Sequence, residues 1–240
     1  MIVDLFIPCY IDQFFPDTAL NMIKVLEKVG CAVNYNPEQT CCGQAGYNLG
    51  YWDEAKEIGD KFIREFQNDR YIVSPSTACS GFVKNQFNEM FHNSVLHNEY
   101  KQIQKNMFEF SDFLVNVLKI TNIGATLNGT ATFLDACTAK RNYHLKNEPR
   151  TLLEKVRGLK LVEMSDVDAC CGFGGGFSVK LEPLSVSMAE QKIEDAENTQ
   201  ADFLISTDSS CLMQLESLIK KNQKPIKVMH LADVLASGWD

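Results

Sequence analysis

Nine cysteines in 240 residues hold most of the chemistry this sequence can do, and eight of them fall into a pattern. Cys9 stands alone, Cys41-Cys42-Gly43 form a triplet, and Cys79 follows Ser74-Pro75-Ser76-Thr77-Ala78. The order recurs as Cys137, then Cys170-Cys171-Gly172, then Cys211 after Ser206-Thr207-Asp208-Ser209-Ser210, at offsets of 128, 129, 129 and 132 residues. Four thiols brought to one point bind soft or borderline metals, so zinc and iron–sulfur chemistry both fit. Two sulfurs presented from one turn suit a multi-iron cluster better than a single tetrahedral ion. The paired C-x2-C spacing of compact zinc sites is also absent. The glycine after each cysteine pair permits positive φ and lets backbone N–H groups face a sulfur. Cys79 and Cys211 follow N-cap-like segments, where the positive end of a helix favours thiolate. Cys31 has no counterpart and reads as a small buried hydrophobe. Structural zinc and a vicinal dithiol at Cys41-Cys42 or Cys170-Cys171 stay open as alternatives.

These cysteines need elements that bring them together. Val3–Pro8, Cys31–Tyr35 and Tyr71–Val73 read as strands in the first half. Between them, Ala19, Ile23, Leu26 and Val29, with Asp17 as N-cap, and then Ala55, Ile58, Phe62 and Phe66 recur at helical spacing. A longer helical region runs from about 83 to 118, with a break near 92–98. In the second half, Thr130–Ala136, Leu159–Glu163, Phe203–Ile205 and Ile226–Met229 read as strands, with Val186, Ala189, Ile193 and Ala196 on a helix. Alternating strands and helices indicate two similar α/β units with parallel sheets, covering 1–121 and 129–240 and related by a pseudo-twofold axis. In such sheets the carboxyl ends of the strands form one rim where ligands bind, so each quartet can converge. The pattern Ser111-Asp112-Phe113-Leu114 echoes Ala232-Asp233-Val234-Leu235.

Composition narrows the function classes. The net charge is −8, and no Lys/Arg run stands out, which argues against nucleic acid. No stretch approaches the roughly 18 apolar residues of a membrane helix. The start, Met1 to Phe6, lacks a positive n-region and is interrupted by Asp4, so a cytoplasmic placement with free thiols is expected. Gly172-Phe173-Gly174-Gly175-Gly176-Phe177 lacks the G-x-G-x-x-G spacing and reads as a loop wrapping a cluster. His230 reads as structural, and Phe87, Met90, Phe91, Phe108, Phe110 and Phe113 as core.

Cys-x31-Cys-Cys-Gly-x35-Cys and Cys-x32-Cys-Cys-Gly-x38-Cys resemble the duplicated cysteine-rich CCG domain family, which occurs in heterodisulfide reductase and in the iron–sulfur component of glycolate oxidase. The length, Thr40-Cys41-Cys42-Gly43-Gln44, Cys170-Cys171-Gly172-Phe173-Gly174-Gly175 and Val228-Met229-His230-Leu231-Ala232 are most similar to its lactate-utilisation protein A branch. The resemblance implies iron–sulfur ligation by Cys9, Cys41, Cys42 and Cys79, and by Cys137, Cys170, Cys171 and Cys211, as one or two clusters of the [4Fe–4S] kind. It implies a subunit of a system that oxidises L-lactate, or another small 2-hydroxy acid, and passes electrons to partner subunits. Phe82 and Gln214 stand where the wider family has a last cysteine. Four ligands per half still suffice for an ordinary cluster. Leu134-Asp135-Ala136-Cys137-Thr138 replaces the His-Asp-Ser-Cys-His that similar sequences carry, removing two histidines.

Overall fold

The computed structural model describes residues 1–239. The first half runs β1 (Ile2–Leu5), α1 (Cys9–Phe14), α2 (Pro16–Lys28), β2 (Ala32–Tyr35), α3 (Gln44–Asn48), α4 (Trp52–Glu65), β3 (Tyr71–Ser74), α5 (Thr77–Phe91), α6 (His97–Asn106), β4 (Met107–Glu109) and α7 (Phe110–Asp112), which continues as a π-helical turn, Phe113–Val117. The second half runs β5 (Thr126–Leu134), a π-helical turn (Ala139–Tyr143), α8 (Glu148–Leu153), β6 (Arg157–Leu161), α9 (Gly176–Lys180), α10 (Glu182–Asn198), β7 (Phe203–Ser206), α11 (Ser209–Lys221), β8 (Lys227–His230) and α12 (Leu231–Leu235).

Each half is a four-stranded sheet, in the orders β2-β1-β3-β4 and β6-β5-β7-β8, and every pairing is parallel. The fold class is therefore α/β with two similar Rossmann-like parallel-sheet repeats. Parallel strands are covered on both faces, which is why β1 and β3 read as short apolar runs rather than alternating ones. The order reverses between β1 and β3 and between β5 and β7, so each half opens a crevice beyond those strand ends. One core passes through both halves, joining Val3, Leu5, Val25 and Phe110 to Ala131, Phe133, Ile205 and Leu231.

The halves dock reciprocally. Asp233 of α12 accepts from Thr18 Oγ1 and Asn21 Nδ2 of α2, each at 2.9 Å. In the other direction the Tyr143 hydroxyl donates to Asp112 of α7 at 2.6 Å and accepts from the Glu109 N–H at 2.8 Å. Each repeat's last short helix thus lies on the opposite repeat, as a pseudo-twofold relation requires.

Two expectations change. The helical reading from 83 to 118 contains a strand, β4, between α6 and α7. Its three residues, Met107-Phe108-Glu109, are too few to impose an alternating pattern on the helical stretches around them. Asp17 lies in the first turn of α2, where Pro16 takes an N-terminal position suited to its missing N–H.

Candidate functional site

The first cysteine of each half opens the segment after the first strand: Cys9 heads α1, and Cys137 precedes the π-helical turn. The cysteine pairs lie in the turns entered from β2 and β6. Gly43 there has φ +88° and Gly172 has φ +79°, a left-handed backbone that favours glycine. Cys79 and Cys211 sit in the first turns of α5 and α11, just past β3 and β7.

All eight cysteines of the two quartets line a single cavity of about 150 Å³ between the halves. Cys9 Sγ and Cys41 Sγ are 3.8 Å apart, and Cys137 Sγ and Cys170 Sγ are 3.9 Å apart. Cys171 Sγ lies 2.8 Å from Cys211 Sγ. The N–H groups of Gly43 and Gly172 donate to Cys41 Sγ at 3.3 Å and Cys170 Sγ at 3.5 Å. Cys9 is exposed at the mouth, whereas Cys42, Cys79, Cys171 and Cys211 are buried. Cys31 is buried in the core and stands outside this group.

The thiols of each half titrate as a set. Hydrogen bonds from Cys42 and Cys9, with help from the Gly43 N–H, hold Cys41 down at about 3. Those from Cys137 and Cys171 hold Cys170 far below the usual thiol range. The donors take the complementary shift: sharing with Cys41 pushes Cys9 up, and sharing with Cys170 pushes Cys137 and Cys171 up, each aided by burial. Each quartet therefore offers one ready thiolate among thiols that a metal must deprotonate.

Tyr10 meets Phe173 edge-on with ring centroids 5.6 Å apart, a contact from one half to the other. Gly174 and Gly175 line the cavity beside it, the position expected of the glycine-rich loop. The two cysteine turns are held differently. Gln214 Nε2 donates to Ser185 Oγ at 2.9 Å, and Ser185 Oγ donates to the Gly172 carbonyl at 2.7 Å. In the first half the corresponding position, Phe82, is buried and packs its ring against Tyr47 at 5.3 Å. One turn is tied by a polar chain and the other rests on an aromatic floor.

His230 is buried, with Nδ1 accepting from the Ala232 N–H at 3.1 Å and Nε2 donating to the Pro75 carbonyl at 2.8 Å. Burial lowers its pKa, so it is a neutral tie between halves. Asp135, beside Cys137, is bound by Arg150 at 3.0 and 2.7 Å. The structure adds three residues not singled out from the sequence: Tyr10 at the mouth, Ser185 beneath the second turn, and Asp208 between the halves. Asp208 stands in an N-cap-like run, but nothing in one chain's spacing shows that it faces the other half.

Comparison with known proteins agrees with this architecture. The cysteine-rich domain family CCG matches the chain twice, over residues 3–84 and 131–216. Lactate utilization protein A of Geobacillus kaustophilus is 41% identical over 236 residues, covering 98% of each chain. Lactate utilization protein A of Halalkalibacterium halodurans is also 41% identical, over 98% of this chain and 96% of its own. Lactate utilization protein A 2 of Bacillus cereus is 38% identical over 99% of both. A hypothetical protein from Helicobacter pylori superposes with a TM-score of 0.60 at 13% identity; it matches the whole chain, which spans about half (49%) of that protein's length, and the likeness is one of fold. Twice-matched, alike in length and carrying both cysteine quartets in register, the chain belongs to the cysteine-rich CCG domain family, on its lactate utilization protein A branch.

Proposed function

We propose that the chain is an iron–sulfur redox subunit of a system that oxidises L-lactate or a related 2-hydroxy acid, working with partner subunits. The observation that carries this reading is the convergence of two in-register cysteine quartets on one cavity between the halves. The names of the relatives supply the link to lactate utilisation.

The residues fit the group. Each quartet draws four thiols from three separate elements, has one sulfur already held as thiolate, and aims a glycine N–H at that sulfur. Cys9, Cys41, Cys42 and Cys79 would hold one cluster, and Cys137, Cys170, Cys171 and Cys211 the other. When bound, such a cluster supplies one-electron transfer, with its potential tuned by burial and by hydrogen bonds to sulfur. The chain's own work is to bury Cys42, Cys79, Cys171 and Cys211, to fix both turns through Gly43 and Gly172, and to narrow access with Tyr10 and Phe173. Residues 1–121 and 129–240 act as the two cluster-bearing units. No described helix is long and apolar enough to cross a membrane. The acidic net charge suits a partner with a basic face.

Anaerobic reconstitution with iron and sulfide, followed by metal analysis and EPR, tests the reading. Cys42→Ala and Cys171→Ala should each remove about half of the bound iron and sulfide. A chain that takes up only zinc, or no metal, refutes it.

A further inference from the structure

We propose that Asp208 is a positioning residue that fixes the two cysteine quartets relative to each other. The residue is 1% exposed and lies on the wall of the cysteine cavity. One carboxylate oxygen accepts from the Ser210 N–H at 3.1 Å and from the Ser210 hydroxyl at 2.5 Å. The other oxygen accepts from the Ala78 N–H at 3.1 Å and the Thr77 hydroxyl at 3.4 Å, both in the opposite half. Ser210 immediately precedes Cys211, and Ala78 immediately precedes Cys79. One carboxylate therefore caps two helices at once, and each of those helices delivers the last cysteine of its quartet.

The repeat supplies an internal control. The residue in the register of Asp208 is Ser76, whose hydroxyl accepts from the Cys79 N–H at 3.3 Å within its own helix. A serine side chain is one atom too short to serve two helices. The chain thus pairs a local cap in one half with a bridging cap in the other. Electrostatics explains why the bridge is a carboxylate. The N-termini of α5, 15 residues long, and α11, 13 residues long, converge on this point and each carries partial positive charge. A single anion between them offsets both. The neighbouring ties across the halves, Thr77 N–H to the Thr207 carbonyl at 3.4 Å and His230 to Pro75, involve neutral partners and cannot supply that charge.

Two readouts test the proposal, and only the second rests on the iron–sulfur reading. In the cluster-free, reduced full-length chain, Asp208→Ser gives the second half the cap of the first. Amide exchange at Ala78 should then speed up roughly tenfold or more, because hydrogen bonds to a charged acceptor are the stronger ones. The Ser210→Ala variant, which spares the link to Ala78, should leave that amide protected. Unchanged exchange at Ala78 in Asp208→Ser overturns the proposal. Should the serine variant fold poorly, Asp208→Asn keeps the volume but leaves a single acceptor oxygen for two helix ends, so exchange at Ala78 or at Ser210 should speed up, and unchanged exchange at both amides overturns the proposal. In the iron–sulfur-loaded chain, Asp208→Asn is combined with Cys42→Ala or with Cys171→Ala, so that one quartet remains in each. Removing a negative charge that lies between both sites should raise the midpoint potential in both backgrounds. A rise in one background alone would make Asp208 a cap of its own half and overturn the proposal. A chain that takes up no iron refutes the function proposed above, while the exchange experiment still decides the role of Asp208.

Discussion

Gly43→Ala and Gly172→Ala place the same change at equivalent positions of the two cysteine turns, and the surroundings predict unequal costs. Both glycines have φ near +80 to +90°, so each alanine meets a left-handed backbone penalty of about 1–2 kcal/mol. The added Cβ at position 43 would lie 3.1 Å from the Ala55 carbonyl oxygen, a tight contact relieved by a few tenths of an ångström of movement. At position 172 it would lie 2.5 Å from the Ser185 carbonyl oxygen and 3.0 Å from Met188 Cβ. There α10 itself must retreat, and Ser185 is the residue whose hydroxyl ties the turn down. Overpacking of this kind adds about 1–3 kcal/mol. In a chain of this size 1 kcal/mol moves Tm by about 2–4 °C. Thermal melts of the reduced, cluster-free variants should therefore show Gly43→Ala lowered by about 2–8 °C and Gly172→Ala lowered by several degrees more. Equal losses, or a larger loss at position 43, would refute the argument that α10 presses closer on its turn than α4 does.

Two further outcomes follow from buried charge. Glu109 is fully buried with one carboxylate oxygen lacking a partner, and burial pushes its pKa up to about 8. The folded chain then keeps a proton that the unfolded chain releases near pH 4.5. Stability should fall as pH rises from there to about 8, by an amount on the order of 4 kcal/mol. Urea titrations at pH 5.5 and 8 should show a smaller pH dependence for Glu109→Gln; parallel curves for variant and parent would disprove this. Arg150→Met should cost about 3 kcal/mol by leaving Asp135, whose side chain is 8% exposed, without its bidentate partner. Adding Asp135→Asn should recover part of that loss, and additive losses in the double variant would show that the pair is not coupled.

The quartets were legible because parallel α/β topology sends all strand ends to one rim, so cysteines placed after successive strands must gather whatever their separation. The repeat was legible for a similar reason: Cys-Cys-Gly in register, twice, leaves little freedom in how each half folds. β4 was hidden because three residues cannot display a period of two. Its place was nonetheless marked by the echo of Ser111-Asp112 in Ala232-Asp233. Glu109 and His230 head those two short helices and accept from the N–H groups that follow them. Contacts between the halves were not legible at all. Spacing along one chain says nothing about which residues of one repeat face the other, and Tyr10 against Phe173 or Asp208 against Ala78 appears only in three dimensions.

The reciprocal docking of α12 on α2 and of Tyr143 on α7 has an evolutionary consequence. A single ancestral repeat with this surface would have completed itself only as a symmetric dimer, in which every substitution appears on both sides of the axis at once. Joining the two copies in one chain lifts that constraint. Asp208 could then arise opposite Ser76, and Gln214 opposite Phe82, so that two sites of common descent diverge without either losing the other as its scaffold.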